Sequence, residues 1–177
     1  RLEPFARIAV TRYEPKGGGL GPESAESSNR YSPAVGVTFE MSEQFQGGLR
    51  AGGNKVSNGN GGLNWQGGMD LRYVGERFEV FVDAGRSTVV SSEGGFTEVK
   101  QLRTGFSYAV DELTRAGFDA SWQDNKGEQP NTMQQYSAWA SRELSSFWIT
   151  RFSYTYKQRQ EENLANASAN IIGLSLI

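Results

Sequence analysis

The residue types that usually carry catalysis are scarce in this chain: its 177 residues include no histidine and no cysteine. A serine nucleophile would lack its usual base, and no His/Cys cluster exists to bind zinc or haem. Paired carboxylates such as Asp70 and Asp83 could do acid–base work, but they alternate with arginines and read first as partners in ion pairs. The run Gly17-Gly18-Gly19 is followed by neither a Lys-Ser/Thr pair nor a helix pattern, so it reads as a flexible loop, not a phosphate cradle. Asp124-Asn125-Lys126-Gly127-Glu128 has an incomplete set of calcium-loop ligands, and ordinary turn chemistry accounts for it. The expectation is no enzyme, no metal and no cofactor.

The more informative constellation is a set of charges at alternate positions. Arg7, Arg50, Arg72, Arg103, Arg115, Arg151 and Lys157 share one phase of the alternation with Glu40, Asp70, Glu79, Asp83, Asp119 and Glu143. The signs nearly balance, so a strong preference for one ion sign is not expected. A two-residue turn at Gly75-Glu76 would set Arg72 directly across from Glu79 as a cross-strand ion pair.

Strands must position these charges. From Leu63 to Tyr73 the odd positions are Leu63, Trp65, Gly67, Met69, Leu71 and Tyr73, and the even ones are polar or glycine. The pattern resumes with Phe78, Val80, Val82 and Ala84 against Glu79, Phe81, Asp83 and Gly85, which is a β-hairpin with one apolar and one polar face. The same period-two signal marks strands over residues 6–10, 34–41, 45–52, 101–110, 114–123, 136–141, 148–157 and 172–176, about ten in all. Corners near 43, 76, 112 and 145 are short, whereas the connections at 15–30, 57–61, 91–96, 125–132 and 159–168 are longer and richer in Gly, Asn and Pro. No helix of useful length competes.

Bulk properties agree with one all-β domain spanning 1–177. The 22 glycines and 12% aromatic residues suit strands better than helix interiors. A mean hydropathy of -0.56 and the lack of a run of about 18 apolar residues exclude a transmembrane helix but not a transmembrane strand, which needs apolar residues only at alternate positions. A net charge of -2 without a basic run gives no footprint for nucleic acid. The chain does not open at Arg1 on a charged-then-apolar signal segment, so it reads as mature or cut.

Alternation alone does not say which face meets which solvent, because a soluble calycin-like barrel or a sandwich has the same period. Three arguments turn the apolar face outward. Ten strands each sending four or five apolar side chains inward would overfill a barrel of that size. The aromatics sort to two ends of the apolar face: Phe45, Tyr73, Phe78, Tyr108 and Trp148 near the tight corners, and Trp65, Trp122, Tyr136 and Tyr156 near the opposite rim. Two such girdles match the two interfaces of a bilayer. The polar face, finally, is built of Gly, Ser, Gln, Arg and Asp, which suits a crowded wet lumen more than a soluble surface.

With short turns at one end, long loops at the other and two aromatic girdles, the chain resembles bacterial outer-membrane β-barrel proteins of the porin type. Its end, Ser168-Ala-Asn-Ile-Ile-Gly-Leu-Ser-Leu-Ile177, is similar to the C-terminal strand such proteins present to the barrel-assembly machinery. Family members finish on an aromatic residue one place beyond Ile177 in this spacing, so the C-terminus reads as cut short. Tyr154-Thr-Tyr-Lys-Gln-Arg159 more loosely resembles large porin-like barrels of exopolysaccharide-export or electron-conduit systems. The resemblance implies an antiparallel up-and-down transmembrane barrel in the cell envelope of Gram-negative bacteria, with lipid and lipopolysaccharide around it.

The expected function is a narrow pore or conduit for ions, small solutes or an exported polymer. Arg50, Asp70, Arg72, Glu79, Asp83, Arg103, Arg115, Asp119, Arg151 and Lys157 would line its lumen. Two alternatives stand: a non-conducting outer-membrane anchor whose loops bind a partner, and a soluble β-barrel or sandwich binding protein. The chain could equally form part of a wider barrel.

Overall fold

The computed structural model describes residues 1–13, 28–56, 64–90, 96–126, 130–161 and 165–176. The glycine run at 17–19, the turn at 57–61, Leu63 and the end of the Asp124 segment lie outside them. Ten strands form one antiparallel sheet in chain order, a pure meander. They are β1 (Leu2–Tyr13), β2 (Ser28–Glu40), β3 (Phe45–Val56), β4 (Asn64–Val74), β5 (Phe78–Val90), β6 (Phe96–Ala109), β7 (Thr114–Lys126), β8 (Asn131–Ser145), β9 (Trp148–Glu161) and β10 (Ala167–Leu176). Among the described residues there is no helix, β1 pairs only with β2, and β10 only with β9.

Every strand but β4 is longer than its alternating segment. The largest difference is in β8, expected at 136–141 and found at Asn131–Ser145. Its extensions, Asn-Thr-Met-Gln-Gln and Arg-Glu-Leu-Ser, lack clean alternation; the first is held by ladders to both β7 and β9, and the second, beyond Arg142, by β9 alone. The register shifts once, between Glu143 and Ser145, where a bulge leads into the turn before Trp148.

The β4–β5 corner differs from expectation by one residue. Val74 faces Glu79 and Arg72 faces Phe81, so Arg72 and Glu79 are diagonal neighbours. The loop is Glu76-Arg77, closed by the Gly75 amide donating to the Phe78 carbonyl at 2.7 Å. A Cβ on Gly75 would sit 2.8 Å from the Phe78 ring. The bare glycine thus lets that ring lean back over the corner and stack on Tyr73, with centroids 5.4 Å apart.

Glycine serves space elsewhere too. Phe5 faces Gly36, Phe39 faces Gly47, Phe81 faces Gly105 and Trp139 faces Gly117 across their ladders. In each pair a Cβ on the glycine would collide with the facing ring, at 2.8 Å for Gly47 and 2.5 Å for Gly117. The ring lies over the glycine and fills the hole it leaves, as in aromatic rescue of strand glycines.

Among the described residues no second layer covers the sheet. Among the described residues Val99 is the only buried large apolar side chain, while Trp65 is 61%, Phe106 46% and Leu174 76% exposed. A soluble protein of 19.5 kDa exposes about 8,500 Å², whereas this chain exposes 12561 Å².

Candidate functional site: the polar face

Directly paired residues of an antiparallel ladder project to the same side, so the register assigns faces without ambiguity. One continuous row runs Gly48–Asp70–Asp83–Arg103–Ser121–Gln135–Lys157 across β3 to β9. The next row towards the tight corners runs Gln46–Arg72–Phe81–Gly105–Asp119–Ser137–Thr155. Arg50 lies two residues on the other side of the first row, facing Gly36 and Gly68. Arg115 and Arg151 both face Ser141, and Glu79 faces Ser107. All ten charged candidates therefore stand on one face.

The nine aromatic candidates stand on the other. Phe45 faces Tyr73, Phe78 faces Tyr108, Trp122 faces Leu102 and Tyr136 faces Tyr156. Trp65 faces Gly53, and Trp148 lies beside the β8 bulge. Phe39 joins the corner girdle, its ring centroid 6.1 Å from that of Phe45.

Only part of the charge set forms ion pairs. Arg72 reaches Glu79 at 2.8 Å along the diagonal. Asp70 and Asp83, by contrast, face each other directly, and Asp83 takes the Gln101 amide at 3.2 Å. Glu3, Glu40, Asp70 and Asp83 with Arg1 and Arg72 border a hollow of about 460 Å³ towards the tight corners. Among the described residues Arg50, Arg103, Arg115, Arg151 and Lys157 contact no carboxylate within 4.0 Å. The balanced charge count thus conceals an uneven placement.

Two side chains on this face escaped the charge pattern. Trp139 donates its indole N–H to Asp119 at 2.7 Å, and the Arg151 guanidinium lies 4.4 Å from the Trp139 ring centroid. The signal was present in sequence, because Trp139 falls on the polar phase of β8, where an apolar ring needs a reason. Phe81, over Gly105, is the same kind of outlier.

Outside the strands, Asp111 in the β6–β7 corner accepts the Leu113 amide at 2.9 Å. That hydrogen bond holds its carboxyl below the ordinary aspartate range, with a further contribution from Thr114. Among the described residues no group of His, Cys, Asp and Glu could hold a metal ion.

No protein-family model and no curated protein matches the chain. Solved structures do. The outer-membrane channel DcaP of Acinetobacter baumannii superimposes with a TM-score of 0.66 at 13% identity over 96% of this chain and 61% of that one. The fold is the antiparallel β-meander of outer-membrane barrels. The FrpB iron transporter from Neisseria meningitidis superimposes on 76% of this chain with a TM-score of 0.57 at 12% identity. The sheet spans 61% of the DcaP chain and 26% of the FrpB chain.

Proposed function

We propose that the sheet is the wall of an outer-membrane β-barrel that passes ions or small solutes, with its polar face turned to the lumen. The observation that carries this reading is the uncovered apolar face. Leu49, Met69, Leu102, Phe106, Phe118 and Phe152 are exposed, and water would penalise each by about 25 cal/mol per Å² left unburied. Lipid removes that penalty. From Trp65 to Tyr73, or Trp148 to Tyr156, eight steps along the strand cover roughly 27 Å. At a tilt of about 40° this is about 20 Å along the membrane normal, close to the apolar band of known barrels.

The two outer edges support a wider barrel. Unpaired backbone groups facing hydrocarbon cost several kcal/mol each, so the free edges of β1 and β10 need partners in a bilayer. Further strands closing the sheet would give a broader bore than ten strands alone, whose lumen side chains largely fill. The ten charged residues, with Trp139 and Phe81, would then line part of a water-filled passage.

Planar-bilayer recording of the full-length protein tests the proposal. Steady unitary currents are the expected result. Silence from protein shown to be folded by heat-modifiable gel mobility would favour the non-conducting anchor.

A further inference from the structure

The polar face carries a second hollow, on the loop side of the acidic one and of about 470 Å³, within the size range of small-molecule sites. Its border includes Arg7, Arg30 and Arg50 from the polar face, with Arg86, whose ladder partners Gly67 and Lys100 put it on the aromatic face, and no carboxylate at all. Arg86 is committed elsewhere, bridged to Glu98 and stacked 4.5 Å from the Trp65 ring centroid. Arg30 donates to Thr11 at 3.3 Å. Arg7 and Arg50 contact no carboxylate among the described residues.

The wall around these arginines is shaped for them. Phe5, Gly36, Arg50, Gly68, Gly85 and Gln101 form one cross-strand row. A Cβ on Gly68 would stand 2.9 Å from Arg50 Nη2 and 3.0 Å from Nε. The guanidinium therefore occupies the space that a side chain at Gly68 would fill, and its Nη2 also lies 3.7 Å from a Cβ placed on Gly85.

A second, independent feature points to a ligand. Ser32 is 4% exposed, borders the hollow, and its Oγ has no hydrogen-bond partner. The β2–β3 ladder lapses at Ser32-Pro33, between the Tyr31–Lys55 and Ala34–Gly52 pairs, and Pro33 brings no N–H to it. A buried hydroxyl without a partner is unfavourable, and a bound acceptor would recover that cost.

We propose that this hollow binds a small oxyanionic solute, a carboxylate, phosphate or sulfate, on the Arg7 and Arg50 guanidinium groups with Ser32 as an added donor. The proposal rests on the reading of this face as a lumen and names the class of solute the lumen retains. Planar guanidinium forks match such oxyanions through paired charge-assisted hydrogen bonds. The acidic hollow beyond it would oppose deep entry, so retention is expected on the loop side.

The test is equilibrium binding of inorganic phosphate and of citrate to the detergent-solubilised full-length protein at low ionic strength, alongside bilayer recording. Saturable binding is expected, weakened at least tenfold by Arg50→Gln, severalfold by Ser32→Ala and by Arg50→Lys, which keeps the charge but loses the fork, and unchanged by Arg142→Gln, which faces Thr114 and Thr150 on the opposite side of the sheet. Heat-modifiable mobility verifies that each variant is folded. Conduction without anion binding, or equal losses in Arg50→Gln and Arg142→Gln, would overturn the site and leave the pore standing. Binding without conduction would keep the site and remove the pore.

Discussion

Trp139 and Asp119 are joined diagonally across the β7–β8 hairpin by an indole N–H···carboxylate hydrogen bond of 2.7 Å. Gly117, directly opposite Trp139, leaves room for the ring, and Arg151 covers it. A ring, a glycine, a carboxylate and a guanidinium from three strands thus form one contact group. Trp139→Phe keeps most of the ring and removes the donor. Hydrogen bonds to charged groups contribute about 1.5–3 kcal/mol. Denaturant unfolding in detergent should show a loss near the lower end of that range, since the site is only part-buried.

The ring-over-glycine pairs make a steric prediction. Gly105→Ala would drive its methyl into the Phe81 ring and should destabilise the sheet by about 1–3 kcal/mol, the usual cost of overpacking. Phe81→Ala in the same chain should return much of that loss. A double-mutant cycle by denaturant unfolding measures the coupling.

Arg72 and Glu79 form an ion pair with side chains 51% and 27% exposed. Solvent screening limits such a pair to about 0–1 kcal/mol. Arg72→Ala should therefore alter unitary conductance more than unfolding free energy. Tyr73→Ala, on the opposite face, should weaken partition into vesicles and leave conductance unchanged. Equal and negligible effects of both would contradict the face assignment.

Much of this architecture was legible in the sequence because a β-strand in contact with two solvents repeats at period two. The ten strands, the four tight corners and the division of charges from aromatics follow from that single signal. The corner at residues 75–77 was not legible to the residue, because Gly75 looks like a turn residue and serves as space for the Phe78 ring. The ends of β8 were hidden for a different reason. Polar residues such as Gln134 and Gln135 fit either face beyond the apolar band, so the ladder alone defines them. The gathering of Arg7, Arg30 and Arg50 around one hollow was also invisible, since it depends on cross-strand neighbours and not on composition.

Asp111 supplies a pH signature. Its folded carboxyl sits below the ordinary value, so the stabilisation it gives is fully present above the unfolded value of about 3.9 and is lost as pH falls through the folded one. Wild type and Asp111→Ala should differ in unfolding midpoint by a constant amount from pH 7 to 5. The difference should shrink below about pH 4. Midpoints in acid and neutral buffers check the sign.

The central claim is the assignment of the two faces, and the absence of cysteine from these 177 residues makes it directly testable. Single substitutions Met69→Cys, Asp70→Cys, Leu71→Cys and Arg72→Cys in β4, with Phe118→Cys and Asp119→Cys in β7, can be probed in proteoliposomes with a water-soluble, membrane-impermeant maleimide. The account predicts labelling that alternates: rapid at 70, 72 and 119, and slow at 69, 71 and 118. Uniform labelling, or the opposite alternation, would contradict it.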